Sequence, residues 1–413
     1  MRVVYYVSLF PCWSETFIAR EIASLLDQGL DVRIVSLKPP SESLVQSDAR
    51  RMLDRVVYPP RGLRGLLRGL GPLLGHPLRS LGELARMARG LWRHPMALLK
   101  SLVAWWRTLA TLRDVRALRP DHLHAHWATY PSTAAMFASE RLGLGFSFTS
   151  HAHDIYVEDH LIGPKLARAA FGVTISEYNR DALASRYGPA AVQRLRVIHC
   201  GVPTADYAFA PDGREPGLVL AVGRLDPIKG FTHLLDACAE LTRRGLRFRC
   251  LIVGEGPLRA SLEQQVARLG LAGVVELPGA QQQERVRELL QRAAVFVLPS
   301  VVTPSGDRDG IPVALMEAMA CGLPVVSTRV SGIPELVEDE RGGLLAPPGD
   351  AAALARCIER QLDTGSEHTR ARVREARRQV EQGFDIAQEA AKLHAAFTGL
   401  PGVGSAELRV RHA

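Results

Sequence analysis

Short hydrophobic runs rich in β-branched residues alternate along the chain with longer segments of helical period. Strands that alternate with helices imply parallel sheets covered by helices on both faces. The pattern therefore predicts an α/β fold. The runs that we predict as its strands cover residues 3–7, 32–37, 146–151, 173–176, 196–199, 219–223, 250–254, 274–278, 295–299 and 324–327.

The chain is too long for one domain, since its 413 residues exceed the roughly 250 at which single hydrophobic cores stop growing. A stretch rich in Pro, Gly and Ala near 201–217 interrupts the alternation. A long segment of helical period follows at 370–397. We predict an N-terminal domain at 1–203 with a helical insertion at about 60–119, a C-terminal domain at 204–383, a helix at 384–398 that packs back on the first domain, and a flexible tail at 399–413.

The cysteines and the hydropathy of the chain indicate the cellular compartment of the protein. The six cysteines are scattered without CxxC spacing, which indicates neither a disulfide framework nor a zinc site. No apolar run reaches the roughly 18 residues of a membrane span, and the first residues do not resemble a signal peptide. We therefore expect a cytoplasmic protein.

The net charge of +8 is concentrated between residues 61 and 119. Twelve Lys or Arg lie there against only Glu83 and Asp114, among many Leu and Trp residues. Such a segment is either a set of solvated helices that cover the first domain or an interfacial helical hairpin on an anionic membrane. We favour the membrane. Nucleic acid is disfavoured because no recognised binding motif accompanies the charge.

The segment 299–324 carries the strongest candidate ligand site. A strand ends at Pro299, a polar loop follows, and Pro312 suits the start of a helix. Such a helix N-terminus at the end of a parallel strand favours phosphate. Asp309 and Glu317 are spaced to reach the sugar and the ribose of a nucleotide sugar, although Asp309 could be a cap partner and Glu317 a solvated helix residue. The apolar neighbours of Glu317 imply that its carboxylate needs a partner.

Two further loops follow predicted strands. The first, from Gly223 to Gly230, carries Arg224 and Lys229, which could both reach one diphosphate. A turn with two solvated bases is the alternative. The loop at Gly254 is a weaker glycine signal of the same kind.

Two patterns suggest a metal, and we interpret both otherwise. His122, His124 and His126 alternate along a predicted strand, but no nearby cysteine or carboxylate set completes a metal site. Asp307 and Asp309 form a DxD pattern that precedes the helix N-terminus and is backed by two bases. We therefore expect no metal and no cofactor.

Together these motifs resemble the retaining glycosyltransferases of family 4, which have the GT-B architecture of two Rossmann-like domains facing a central cleft. Asp309 and Glu317 match the family's pair of acids, of which the first is normally Glu, and GRLDPIKG matches in full from Gly223 to Gly230. The segments PCWSETFI at 11–18 and DGIPVALME at 309–317 look closest to the exopolysaccharide branch, including colanic-acid-type enzymes. The resemblance spans about residues 1–398.

The resemblance implies roles for individual residues. Arg224 and Lys229 would neutralise the leaving diphosphate, Glu317 would bind the ribose, Asp309 would orient the transferred sugar, and His151 would face the donor. The donor, a UDP- or GDP-sugar, would also contact Gly223, Gly254, Gly310, Ile311 and Pro312. The acceptor side would include Ser14, Glu15, His126, His153 and Asp154.

The implied function is transfer of a hexose, with retention of configuration, to a growing, lipid-linked glycan in exopolysaccharide or cell-surface polysaccharide biosynthesis, at the inner face of the cytoplasmic membrane. A nucleotide-sugar-binding protein without transferase activity and a nucleotide-sugar epimerase are the alternatives. A dehydrogenase would need G-x-G-x-x-G after the first strand, where this chain has SLFPCWSE at 8–15. The short side chain of Asp309 leaves the donor sugar open.

Overall fold

The structure is a computed structural model, and it describes residues 1–12, 15–39, 47–362 and 367–400. The chain divides into two compact units. Unit 1 comprises Met1–His199 and the segment from Ile386 onward, and unit 2 comprises Cys200–Asp385. The division falls four residues before the predicted boundary at 203, and it assigns the segment from Ile386 to unit 1.

Unit 1 contains a seven-stranded parallel sheet in the order β3-β2-β1-β4-β5-β6-β7. Its strands are β1 (Arg2–Leu9), β2 (Asp31–Lys38), β3 (Val56–Val57), β4 (His122–His126), β5 (Phe146–Ser150), β6 (Phe171–Thr174) and β7 (Leu195–Val197). Its helices before unit 2 are α1 (Thr16–Asp27), α2 (Ser47–Arg50), α3 (Gly62–Gly75), α4 (Pro77–Leu91), α5 (Pro95–Ala117), α6 (Tyr130–Leu142), α7 (His153–Tyr156), α8 (Ile162–Arg168) and α9 (Glu177–Tyr187).

Unit 2 contains a six-stranded parallel sheet in the order β10-β9-β8-β11-β12-β13. Its strands are β8 (Leu218–Val222), β9 (Arg249–Val253), β10 (Val275–Gly279), β11 (Val295–Val297), β12 (Val325–Thr328) and β13 (Leu344–Ala346). Its helices are α10 (Phe231–Arg243), α11 (Arg259–Arg268), α12 (Gln283–Arg292), α13 (Val313–Ala320), α14 (Ile333–Leu336), α15 (Ala351–Leu362) and α16 (Glu367–Gly383).

Both strand orders follow the Rossmann pattern, in which the chain first winds outward in one direction and then restarts beside the first strand. The predicted α/β class with two Rossmann-like domains is confirmed. The reversal lies between β1 and β4 in unit 1 and between β8 and β11 in unit 2. Ligands of such sheets bind at the carboxyl edge of this switch point.

The central strands are apolar on both faces because helices cover both sides of each sheet. Residues 3–7 of β1 are all buried, and so are the three residues of β11. A last helix, α17 (Ile386–Thr398), packs on α1 and buries Leu393 and Phe397 in the core of unit 1. Among the described residues, no helix combines the length and the apolarity that a membrane crossing requires.

Candidate active site

The switch point of unit 2 is built from loops that pack backbone against backbone. Gly230 has a φ of +66°, and a Cβ there would lie 1.9 Å from the carbonyl oxygen of Pro299. A Cβ on Gly254 would lie equally close, at 1.9 Å, to the carbonyl oxygen of Gly223. The backbone N–H of Val301 donates to the carbonyl of Ile228 at 2.9 Å. Glycine therefore allows the loops after β8, β9 and β11 to converge at one edge of the sheet.

Lys229 and Asp309 form a direct ion pair at this edge. The Nζ of Lys229 donates to Oδ1 of Asp309 at 2.7 Å, and the Oγ of Ser300 donates to Oδ2 at 2.6 Å. The Lys229 and Asp309 side chains are 17% and 9% exposed. Both carboxylate oxygens of Asp309 are thus held by the protein, and the ammonium of Lys229 is fixed near the start of the neighbouring helix. The sequence did not indicate Ser300, although it lies within three residues of the end of β11.

The side chain of Arg224 is more exposed and less tightly paired than that of Lys229. Its side chain is 67% exposed, and its Nε lies 3.7 Å from the nearer oxygen of Asp226. An exposed pair at this distance contributes little to stability. The guanidinium is therefore available to an incoming anion, for which its planar donors suit phosphate.

The helix that follows Asp309 begins at Val313, with Pro312 at its N-cap. The backbone N–H of Leu315 donates to the carbonyl of Pro312 at 3.1 Å, whereas those of Val313 and Ala314 have no acceptor within the helix, and the helix dipole adds partial positive charge there. The helix ends at Ala320, and Gly322 follows with a φ of +71°. The sequence predicted this helix, with Pro312 inside its first turn rather than just before it.

Glu317 is half-buried on this helix and has the partner that the sequence required. The hydroxyl of Tyr207 donates to its Oε1 at 2.8 Å, and the guanidinium of Arg287 lies 5.2 Å from the centre of the Tyr207 ring. Tyr207 was missed because it lies in the segment that the sequence marked as an interdomain break. Its hydroxyl orients the Glu317 carboxylate.

The switch point of unit 1 carries histidines and a carboxylate. His126 ends β4, and its Nε2 lies 2.9 Å from Oε1 of Glu21 on α1. The hydroxyl of Tyr5, on the neighbouring β1, donates to the same oxygen at 3.0 Å. The Nδ1 of His126 lies 3.4 Å from Nε2 of His151, which directly follows β5. One chain of polar contacts thus connects α1, β4 and the end of β5.

The sequence showed no nearby cysteine or carboxylate set that would complete a metal site with the histidines of β4, but the fold brings Glu21 to them. One ligand-type atom each from Glu21, His124 and His126 lies within 4.8 Å of the others. The pairing was not foreseen because Glu21 is 105 residues away from His126 in the chain. Both ring nitrogens of His124, however, already form hydrogen bonds with the hydroxyls of Ser147 and Thr149, at 2.8 and 3.1 Å. These contacts satisfy His124 without a metal.

Asp154 shapes the loop that carries His151. Its Oδ1 accepts the backbone N–H of His151 at 2.6 Å, and its Oδ2 accepts that of Ala128 at 2.5 Å. Burial raises the pKa of Asp154 to about 7, against these two hydrogen bonds, which lower it. The carboxylate therefore ties the loop after β4 to the loop after β5.

Lys165 contacts the loop after β4 and the loop after α7. Its Nζ donates to the carbonyls of Ala128, Thr129 and His160. Burial lowers the pKa of Lys165 to about 7, while the charge of Asp154 raises it. Three carbonyl acceptors require three N–H donors, so this geometry favours the charged ammonium.

Comparison with known proteins identifies the family. Residues 14–206 match the model described as Glycosyltransferase Family 4, and residues 216–364 match the one described as Glycosyl transferases group 1. The chain is 33% identical to the putative colanic acid biosynthesis glycosyltransferase WcaL of Escherichia coli over 403 residues, which cover 93% of this chain and 96% of WcaL. It belongs to glycosyltransferase family 4.

Two further comparisons agree with this assignment. The transferase is 31% identical to the amylovoran biosynthesis glycosyltransferase AmsK of Erwinia amylovora over 93% of this chain and 96% of AmsK. The crystal structure of Anabaena HepE in complex with UDP and glucose matches with a TM-score of 0.70 at 18% identity, covering 97% of this chain and 100% of HepE. The fold is thus that of the two-domain GT-B glycosyltransferases.

The predicted site residues of the transferase fall into separate groups. Arg224, Lys229, Asp309 and Glu317 lie in unit 2 with Gly223, Gly254, Gly310, Ile311 and Pro312, and His126, His151 and Asp154 lie in unit 1. Glu15 directly precedes α1, and His153 is exposed at the first position of α7. Ser14 lies outside the described residues. The acceptor-side roles stay predictions.

Proposed function

We propose that the chain transfers a hexose, with retention of configuration, from a UDP- or GDP-sugar to a lipid-linked glycan during exopolysaccharide biosynthesis. The observation that carries this proposal is the cationic edge of unit 2, where Lys229, Arg224 and the N-terminus of α13 meet two carboxylates. The names of WcaL and AmsK, which refer to colanic acid and amylovoran, support the exopolysaccharide assignment. The complexes of HepE with UDP and with UDP-glucose support a nucleotide-sugar donor.

The diphosphate binds, in this proposal, to Arg224, Lys229 and the first turn of α13. Departure of a nucleoside diphosphate builds negative charge on its terminal phosphate, and fixed positive groups stabilise that charge without reorganisation. Lys229 is pre-positioned by Asp309, and Arg224 is free to close on the anion. Glu317, oriented by Tyr207, accepts hydrogen bonds from the ribose hydroxyls.

Asp309 performs two tasks in this scheme. One of its oxygens holds Lys229 against the phosphate, and the other, while held by the Ser300 hydroxyl, accepts a hydroxyl of the donor sugar as well. A carboxylate can accept several hydrogen bonds, so both contacts fit one side chain. The short side chain of Asp309, compared with the usual Glu, draws the sugar closer to the sheet edge and makes the identity of the donor sugar a specific property of this chain.

We propose that no divalent metal takes part. Asp309 is engaged by a protein cation, and Asp307 accepts the N–H of Arg308 at 3.0 Å within its own loop. The positive charge that the phosphate needs is supplied by Arg224, Lys229 and the helix N-terminus. Transfer that is lost in chelator and restored by Mg²⁺ or Mn²⁺ would instead identify the two aspartates as metal ligands.

A thermal-shift screen of nucleotide sugars tests the donor proposal. A ligand present at about 100 times its dissociation constant adds about 2.7 kcal/mol of stability, which raises the unfolding temperature measurably. UDP- and GDP-sugars should stabilise the protein, and Glu317→Ala should abolish the shift. Incubation of the stabilising donor with a polyprenol-linked glycan, followed by NMR of the anomeric proton of the product, then tests retention. Donor binding without turnover in the presence of acceptors would favour the binding-protein alternative, and an epimerised donor would favour the epimerase.

The helices α3 to α5 carry the proposed membrane surface. Both acids of this basic segment have partners within unit 1: buried Glu83 accepts from Arg141 and Trp105, and the partly exposed Asp114 pairs with Arg68 at 2.9 Å. The outer face is left cationic and apolar at once. Its exposed large side chains are Leu63, Leu66, Leu67, Leu74, Leu78, Leu81, Trp92, Met96, Leu99 and Val103. Leu78 is 84% exposed and Trp92 66%.

This surface suits anionic lipid. Exposed apolar side chains among arginines are the features of an interfacial helix, which lies in the membrane plane with its bases at the headgroups. The guanidinium of Arg93 lies 4.8 Å from the centre of the Trp92 ring, so the two side chains can enter the interface together. Arg86 and Lys100 contribute less, because they pair with Glu140 and Glu158.

Vesicle co-sedimentation tests the membrane proposal. The variant changes to Gln four exposed arginines that have no ion pair within the described part of the chain, Arg61, Arg64, Arg89 and Arg93. Each base near an anionic surface contributes about 1 kcal/mol, so the variant should leave vesicles that contain phosphatidylglycerol. A control variant changes to Gln four exposed arginines of unit 2, Arg268, Arg285, Arg341 and Arg356, and should stay bound. Equal binding of both variants would support solvated helices instead.

A further inference from the structure

A series of hydrogen bonds in unit 1 ends on His151 and begins on a carboxylate that no family motif in the sequence pointed to. Oε1 of Glu21 lies 2.9 Å from Nε2 of His126, and Nδ1 of His126 lies 3.4 Å from Nε2 of His151. His126 is 1% exposed and His151 6%. The three side chains come from α1, the end of β4 and the residue after β5, so the fold itself brings them into line.

The first contact determines which nitrogen of His126 carries the proton. An ionised carboxylate only accepts hydrogen bonds, so Nε2 of His126 must donate to Glu21. The hydroxyl of Tyr5 also donates to this Glu21 oxygen, which therefore acts as an acceptor in both contacts. In a neutral imidazole the second nitrogen is then an acceptor.

The second contact transmits this choice to His151. Because Nδ1 of neutral His126 accepts, Nε2 of His151 must donate to it. The Nδ1 of His151 is then left with a lone pair. Among the described residues no hydrogen bond engages this atom, whereas the backbone N–H of His151 is held by Asp154. Burial keeps the pKa of His151 well below its ordinary value, which agrees with a neutral ring.

Aromatic neighbours hold the His151 ring in place. The ring of Phe17 lies 4.9 Å from it and that of Trp127 lies 4.6 Å from it, centre to centre. Rotation of the imidazole would have to displace these rings. The direction of Nδ1 is therefore as well determined as its protonation.

We propose that Glu21 and His126 are positioning residues, which hold His151 in the Nε2–H tautomer so that its Nδ1 accepts a hydrogen bond from a sugar hydroxyl. The role of the hydroxyl rests on the proposed function, whereas the tautomer does not. The same carboxylate–histidine arrangement fixes the tautomer of catalytic and metal-binding histidines in other proteins. Here it acts through a second histidine.

NMR of the full chain labelled with ¹⁵N-histidine tests the proposal directly, because the two nitrogens of each tautomer have distinct shifts. At pH 7.5 both His126 and His151, assigned from His126→Gln and His151→Gln, should carry the proton on Nε2. Glu21→Gln should give His151 a mixture of tautomers, because an amide can donate as well as accept. Glu177→Gln, which removes an exposed acid of the same unit, should leave both spectra unchanged.

Kinetics provide the second readout. Glu21→Gln should lower kcat by about 10- to 100-fold, the range typical of removing an outer partner of a metal-binding histidine. The thermal shift caused by UDP or GDP alone, which carry no transferred sugar and bind unit 2 in the proposed function, should stay the same. His151 protonated on Nδ1 in the wild type, a doubly protonated His126, or an unchanged His151 tautomer in Glu21→Gln would overturn the proposal. The wild-type spectrum tests the tautomer of His151 even if a variant fails to fold. Wild-type protein without transfer activity would contradict the proposed function but not the positioning of His151 by Glu21 and His126.

Discussion

The two sheets reverse their strand order in the same way but carry opposite chemistry at the point of reversal. In unit 2 the edge between β8 and β11 holds an exposed arginine, a lysine–aspartate pair and the N-terminus of α13. In unit 1 the edge between β1 and β4 holds His126, and His151 follows the neighbouring β5, with a pKa lowered chiefly by burial. One topology thus supports a cationic site in unit 2 and, in unit 1, a site of buried histidines paired with one carboxylate. The strand order fixes where a ligand binds, and the loops decide which ligand.

Glu317 gives the strongest test of the charged edge. Glu317→Ala should reduce transfer below detection, because the ribose loses its acceptor and the Tyr207 hydroxyl loses its partner. The midpoint of thermal unfolding should change little, since Glu317 is only half-buried. Glu284→Ala, an exposed acid on α12, is the matched control. Near-normal turnover of Glu317→Ala would remove this residue from the site.

The two cations should matter next. With chelator present, Arg224→Ala or Lys229→Ala should lower turnover by about 10² or more, the loss typical of removing one group that stabilises developing charge. Wild-type turnover should persist under the same conditions. Arg243→Ala, an exposed arginine on α10, should behave like the wild type. Equal activity of all variants in chelator would show that the positive charge at the diphosphate comes from elsewhere.

The buried histidines of β4 should be visible in the pH dependence of stability. Burial lowers the pKa of His122 from 6.5 to about 4, so between these values the unfolded chain binds a proton that the folded chain does not. The free energy of unfolding should therefore fall as the pH falls through this window. For His122 alone the loss reaches roughly 3 kcal/mol at the acid end, at about 1.36 kcal/mol per pKa unit.

Comparison with His122→Gln isolates this effect. Urea unfolding of both proteins between pH 4 and pH 7, followed by tryptophan fluorescence, reports unit 1, because all five tryptophans lie within it. The raised pKa of Asp154 gives an opposite slope, but both proteins share it. The variant should lose less stability towards acid. Parallel pH profiles would mean that His122 is not held neutral.

Ser300 should give the smallest change. Ser300→Ala removes the hydrogen bond to Oδ2 of Asp309 but leaves the Lys229 pair intact. A single hydrogen bond to a buried group contributes about 0.5–1.5 kcal/mol, so kcat/KM should fall by about 2- to 12-fold. Ser305→Ala, in the exposed part of the same loop, should have no effect. A rise in activity would show that Ser300 competes with the donor sugar for Asp309.

The sequence predicted the long buried strands well, because a parallel strand covered on both faces is a continuous apolar run. Every predicted strand overlaps a strand of the structure, and the histidine strand lies at His122–His126. The strands Val56–Val57 and Leu344–Ala346 were missed because two or three residues carry too little pattern. The predicted helix at 370–397 is interrupted at Phe384 and Asp385, where the backbone of Val202 pairs with the chain. A backbone contact between segments distant in the chain thus ends a helix that the local hydrophobic periodicity would continue.

Prediction of the candidate site from the sequence is limited in the same way. Strand-end motifs indicated Lys229, Asp309, Glu317 and His151 individually. The contacts that orient them join residues far apart in the chain: 80 positions separate Lys229 from Asp309, and 110 separate Tyr207 from Glu317. Local spacing carries no information about such pairs, which follow from strand order and helix placement.

The helix α17 has a consequence for how the protein is made. Its Phe397 is fully buried, with its ring 5.3 Å from that of His124 and 5.6 Å from that of Phe171. Most of unit 1 leaves the ribosome first. The helix α17, which packs against the histidine strand β4, is translated only after the whole of unit 2. During synthesis, unit 2 can reach its native state while unit 1 still exposes the apolar surface of β1 and β4 that α17 later covers. The nascent N-terminal domain is thus the part of this protein that a chaperone would recognise.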